Sequence, residues 1–238
     1  MRQVVSNIIH KSNSNGQRSL YACDVGTTRS GAAGSSFAWA KIEPEDPARV
    51  RVSRDIERLV ADISSEINVG KSIALGFEAP LFIPVPISAD NLSRGRAGER
   101  DRSFAAPPGL AVTTLALHQA AWILVSLREA CIRECGFSTD WKAWPPSSEK
   151  QVLFCWEAFV SGKAHSDTHV NDAATAVNAF SIHERNLDQA NAVTAERPLS
   201  LIGTAALWSG WTENQAMLHR SALVIKPSEP FKGPIEEF

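Results

Sequence analysis

Four side chains place acid–base chemistry where an ordinary core would not need it: Asp24, Glu78, His169 and Asp172. Asp24 interrupts the apolar run of "LYACDVGTTRSG" (20–31), and a carboxylate in such a strand costs several kcal/mol unless a cation or hydrogen-bond donors compensate for it. Glu78 stands in "SIALGFEAPLFIPVP", and Asp172 follows His169 by three residues in "THVND". Strand alternation puts Leu20, Ala22 and Asp24 on one face, and likewise Ala74, Gly76 and Glu78. Both acids then have small neighbours, which are expected to leave room over the sheet for a metal or a phosphate. Both also fall toward the carboxyl ends of their strands, where open α/β sheets place ligands. Asp172 has a plainer reading as a helix cap, a role that Asp and Asn favour. Three acids at about 4 Å would repel one another by about 4 kcal/mol per pair at an effective dielectric of 20. Such a cluster needs a divalent cation or raised pKa values, and oxygen ligands alone suit Mg²⁺ or Mn²⁺.

Other polar groups have competing readings. Arg94, Arg96, Arg100 and Arg102 crowd one loop, interrupted by Glu99 and Asp101. Arginine suits bidentate phosphate recognition, so Arg96, Arg100 and Arg102 are candidate phosphate contacts, against the alternative of a solvated loop with internal ion pairs. Trp141 and Trp144 can stack bases or pack over a helix, and packing is the commoner fate of connector tryptophans. His165 and Asp167 read as solvated loop residues. Cys131 and Cys135 would share a helix face, which suits core packing better than a metal.

The elements that must position these groups follow from pattern. "SLYACDV" and "SSFAWAKIE" form strands across a glycine-containing turn, and a third strand lies around "ARVRVS". Ile56, Leu59, Val60, Ile63 and Ile67 mark a helix that ends near Asn68 to Gly70. "SIALGFEAPLFIPVP" is a strand ended by prolines, followed by a long loop rich in Gly, Pro, Ser and charge. Next come a long helix from Leu110 to about Glu134, a Trp- and Pro-rich connector, the strand "QVLFCWEAFV" and a helix over "DTHVNDAATAVNAFSIHERN". "LSLIGTAALWSGW" and "SALVIKP" add strands, or a strand and a short helix. Three consecutive strands and then alternating helices and strands predict a mixed sheet covered by helices.

Composition bounds the class. The 238 residues fit one large domain, 18–238, with a C-terminal extension from about 190 and an N-terminal tail or arm over 1–17. A net charge of -2 gives no global basic field, which counts against coating nucleic acid by electrostatics alone. The four cysteines form no CxxC pair and suit a reducing, cytoplasmic setting. The uncharged stretch from Leu110 to Leu127 is near the lower length limit for a membrane span, but His118, Gln119, Thr113, Thr114 and Ser126 favour a helix lying over a sheet.

A strand-borne Asp followed by a hairpin, a Glu on the fourth strand, and an Asp on a late helix with a His three residues before it resemble the RNase H-like superfamily, especially its RuvC-like branch. "GFEAPLFIPVP", "RDRSF…PPG" and "HVNDAATAV" are also similar to the bacterial proteins grouped as DUF429-like. The resemblance covers roughly residues 18 to 185. It implies an α/β fold with a mixed five-stranded sheet, antiparallel hairpin strands plus parallel strands, flanked by helices. It further implies a hydrolase: a nuclease cutting the phosphodiester bonds of nucleic acid, DNA or RNA, with Mg²⁺ or Mn²⁺. Asp24 would bridge two ions, Glu78 and Asp172 would each hold one, His169 would assist on the nucleophile side, and Glu157 in "CWEAFV" would be an additional ligand or an orienting group.

"DVGTTRSG" is also similar to the first phosphate motif of actin-like, sugar-kinase and Hsp70-like ATPases, in which Thr27 and Thr28 would contact ATP phosphates. Those proteins need a related second half with another Asp-x-Gly turn and a glycine-rich adenosine site, and neither follows residue 150. The three readings are therefore a nuclease, an ATP-dependent phosphotransferase, and a catalytically silent RNase H-like module that binds nucleic acid.

Overall fold

The computed structural model describes residues 18–28, 34–43, 45–99, 103–146 and 150–238. Three strands open the fold: β1 (Arg18–Asp24), β2 (Ala38–Glu43) and β3 (Asp46–Ser53), joined as an antiparallel meander. Helix α1 (Ile56–Asn68) follows, with Asp55 accepting the Glu57 and Arg58 N–H groups as its cap. It leads into β4 (Ser72–Phe77), which runs parallel to β1. After the short β5 (Phe82–Pro84) and the long loop comes α2 (Pro107–Ala130), then β6 (Gly136–Ser138) and β7 (Val152–Ala158). The chain closes with α3 (His169–His183), α4 (Leu187–Ala190), β8 (Pro198–Ser200), α5 (Leu201–Trp208), β9 (Val224–Ile225) and β10 (Ile235–Glu237).

One mixed, eight-stranded sheet carries the fold in the order β10-β3-β2-β1-β4-β7-β6, with β9 beside the carboxyl half of β7. The five long strands are the expected ones, and the first does lie beside the fourth. The sheet is wider than the expected five strands because β6, β9 and β10 extend its edges. Each is only two or three residues long, too short for alternation to show in the sequence. The expected fourth strand also splits, since "FIP" leaves the sheet and pairs with β8 in a separate two-stranded ribbon.

Each face of the sheet has its own core. Tyr21, Cys23, Leu75, Phe77 and Cys155 face α1, α2 and α5, while Leu20, Ala22, Ala74, Phe154 and Trp156 face α3. Helix α2 buries Ala116, Ala120, Ile123, Leu124 and Leu127 against the first face, as a helix covering a sheet should. It is also long and apolar enough, by length and composition, to cross a membrane. It ends at Ala130 rather than Glu134, because Asn68 Oδ1 takes the Ile132 N–H and Cys131 is extended. Cys131 and Cys135 therefore do not share a helix face. Trp144 packs as expected, stacking on Phe154, and Trp141 donates from Nε1 to Asp188.

The small residues on the α3 face do not leave the space expected of them. A Cβ on Gly76 would lie 2.4 Å from the indole of Trp156, on the neighbouring strand. Ala22, Ala38, Ala40 and Ala74 are likewise covered in the core that α3 supplies with Ala173, Ala176, Val177 and Phe180. Their smallness lets α3 lie close to the sheet, and that close approach brings the start of the helix to the end of β1.

Candidate metal centre

Three elements deliver the acids. Pairing of β1 with β4 sets Cys23 opposite Phe77, so Asp24 and Glu78 are the next neighbours at the carboxyl ends of two parallel strands. The Glu78 N–H donates to the Cys23 carbonyl at 2.7 Å and holds that register one residue past the strand. Asp172 arrives from α3. Thr168 caps this helix by accepting the Asn171 N–H, which leaves the Asp172 carboxylate free of the capping role open to it from sequence. One oxygen from each of Asp24, Glu78 and Asp172 lies within 4.8 Å of the others, and together these atoms could hold a metal ion.

Two histidines flank the acids. His169 Nδ1 is 2.6 Å from Asp24 Oδ2, and His165 Nδ1 is 2.6 Å from Asp172 Oδ2. The other Asp172 oxygen accepts the Ser166 N–H at 2.8 Å. His165 is solvent-exposed, as expected of a loop residue, yet it contacts the cluster, and Asp167 is exposed as expected. The spacing of His165, His169 and Asp172, four and then three residues, was the available signal. Burial pushes the Asp24 carboxyl up to about 6, His169 opposes the shift, and the Asp172 charge adds to it. An all-carboxylate donor set in which Asp24 and Asp172 are buried and Asp24 is hard to ionise is short of positive charge, which fits a hard divalent cation.

The acids and histidines line a cavity of about 260 Å³ together with apolar residues that include Pro80, Phe104, Val112 and Phe159. Arg96, Glu99 and Glu157 also line it. Here the structure corrects the expectation for Arg96. Its side chain is 1% exposed and its guanidinium grips Glu157 at 2.7 and 2.5 Å, so it is not a free phosphate contact. Nε donates to Glu99 at 2.8 Å and one terminal nitrogen also reaches the Phe82 carbonyl. Glu157 is not grouped with the three clustered acids. It accepts from Arg96 and from the Leu81 N–H at 2.9 Å, which ties the segment after Glu78 to β7. Both Glu157 oxygens are thus taken up by donors of the chain. Burial raises the Glu157 pKa against the pull of Arg96. Glu99, which interrupts the arginines of the loop, is 2% exposed and accepts the Arg96 and Phe104 N–H groups, so the expected internal ion pair forms, but buried. Nothing in a run such as "RGRAGER" marks which charges turn inward.

Arg94 is exposed, and Arg100 and Arg102 lie outside the described residues. Thr27 bonds Ser36 through both its N–H and its hydroxyl, closing the hairpin, and Thr28 is exposed beside it. Neither threonine lines the acidic cavity. No protein-family model, curated protein or solved structure matches the chain.

Proposed function

We propose that the protein is a metal-dependent nuclease of RNase H-like type, hydrolysing phosphodiester bonds of nucleic acid with Mg²⁺ or Mn²⁺. The observation that carries this reading is the convergence of Asp24, Glu78 and Asp172 from β1, β4 and α3 to within 4.8 Å. The strand order β3-β2-β1-β4-β7, antiparallel through the first three and parallel through the last three, supports the superfamily. Asp24 would be shared between two ions, with Glu78 and Asp172 each completing one site. The chemistry that ions would supply there is activation of water and stabilisation of the attacking and leaving oxygens of an in-line displacement at phosphorus.

The remaining roles belong to the chain. His169 orients Asp24 through Nδ1, which leaves Nε2 as the ring atom able to exchange a proton. His165 and the Ser166 N–H fix the Asp172 carboxylate. Glu157 and Arg96 position the segment that follows Glu78.

The test is cleavage of labelled single-stranded DNA, duplex DNA, RNA and a branched junction, with Mn²⁺ or Mg²⁺ and with chelator. Cation-dependent cleavage of at least one substrate, lost in Asp24→Asn and Asp172→Asn, is expected. Cleavage that survives both substitutions would assign the activity to another site. Absence of cleavage together with absence of a Mn²⁺-induced rise in Tm would remove the reading.

A further inference from the structure

A second cavity, of about 370 Å³, adjoins the first and shares Glu99 with it. Among the described residues two turns supply the rest of its lining: Ser161-Gly162-Lys163 after β7, and Lys226-Pro227-Ser228 after β9. Since β7 and β9 are parallel neighbours, both turns leave the sheet at its carboxyl edge, where Asp24 and Glu78 also lie. Each turn contributes one ammonium and one hydroxyl.

We infer that this cavity binds a phosphate group through Lys163, Lys226 and the hydroxyls of Ser161 and Ser228. Among the described residues neither lysine has a carboxylate partner. Ser161 is buried and precedes a single 3₁₀ turn (Gly162–Ala164), yet its side chain makes no capping bond, so its hydroxyl remains available to the cavity it lines. Gly162 has φ 60°, and a Cβ there would meet nothing within 4 Å, so the space over the turn is open.

Lys226 is positioned rather than loose. Its Nζ lies 4.8 Å from the centre of the Phe159 ring, and Phe159 lines the acidic cavity. The ammonium therefore stands at the boundary between the two chambers. Among the described residues the one acid in the wall, Glu99, is already engaged by the Arg96 N–H, Arg96 Nε and the Phe104 N–H. Two ammonium groups and two hydroxyls form a set of donors for the oxygens of a phosphate, to which charged donors bond more strongly than neutral ones.

The assignment rests on the proposed nuclease only for the owner of the phosphate. On that reading it is a phosphate of the same strand, next to the one addressed by Asp24, Glu78 and Asp172. Titration calorimetry with inorganic phosphate, on the full chain in metal-free, low-salt buffer, tests the site by itself. Saturable binding is expected, weakened about tenfold or more in Lys163→Gln/Lys226→Gln, with an intermediate loss in the single, exposed Lys163→Gln. The Mn²⁺-induced rise in Tm, measured separately without phosphate, should be the same in the double variant as in the wild type.

No saturable phosphate binding, or equal binding by wild type and double variant, overturns the inference. Lysine-dependent phosphate binding without any Mn²⁺ effect would leave the anion site standing and remove the metal reading instead. A third arm uses a short single-stranded oligonucleotide. Weaker binding in the double variant assigns the phosphate to the strand, and unchanged binding would overturn that part by making a free anion the occupant.

Discussion

His169 Nδ1 lies 2.6 Å from Asp24 Oδ2, so the first residue of α3 is tied to the last residue of β1 across 145 positions of sequence. The contact requires α3 to lie close to the sheet, which the alanines beneath it allow. It also sets His169 behind a carboxylate rather than in the group of three clustered acids. His169→Ala is therefore expected to slow cation-dependent cleavage by about 10²-fold or more while the Mn²⁺-induced rise in Tm persists. Loss of that rise would reassign His169 as a ligand.

Asp24→Asn removes a charge from acids that repel one another. The metal-free variant should be as stable as the wild type or more so, and Mg²⁺ or Mn²⁺ should no longer raise its Tm. Destabilisation by roughly 1 to 3 kcal/mol with a preserved metal response would instead mark Asp24 as a structural acid.

Stability of the metal-free protein should depend on pH through the same residue. In the folded chain the Asp24 pKa is raised to about 6 from 3.8, chiefly by burial. The folded state then holds the proton more tightly than the unfolded state. Its contribution is complete below pH 3.8 and is lost as pH rises through about 6, a span equivalent to at most about 3 kcal/mol. Urea unfolding in chelator at pH 4 and pH 7 should show a decline in the wild type that is smaller in Asp24→Asn. Parallel declines would exclude Asp24 as its source.

Arg96 is bonded to two buried carboxylates, Glu157 and Glu99. Arg96→Met would leave both without their cation, and unfolding should cost about 3 to 5 kcal/mol less than in the wild type. The loss should shrink at low pH, where protonation relieves the stranded acids. A variant within about 0.5 kcal/mol of the wild type would show that these buried ion pairs do not hold the loop to the sheet.

Gly76→Ala would drive a methyl group into the Trp156 ring. A loss of about 1 to 3 kcal/mol in urea unfolding is expected, because the ring is fully buried between β4 and α3 and has no room to retreat. A neutral or stabilising effect would show that space does exist over this face after all.

The sequence by itself determined the long elements and the direction of their side chains. Apolar runs bounded by turn residues located β1, β2, β4 and β7, period 3.6 located α1, and strand alternation set Asp24 and Glu78 each on the same face as its small neighbours, because each signal depends only on residues close in the chain. Tertiary structure alone decided what those faces meet. The short edge strands β6, β9 and β10 exist because a neighbour is available to pair with, which no local pattern reports. Arg96 and Glu99 turned inward because Glu157 supplies a partner from 61 positions away in one case and Arg96 supplies it in the other. The small residues around Gly76 pointed to space for a ligand, and the Trp156 ring and α3 fill that space with packing instead. His165 joined the acids for the same reason: the worth of an ionisable side chain depends on the charge it faces, and folding chooses that charge.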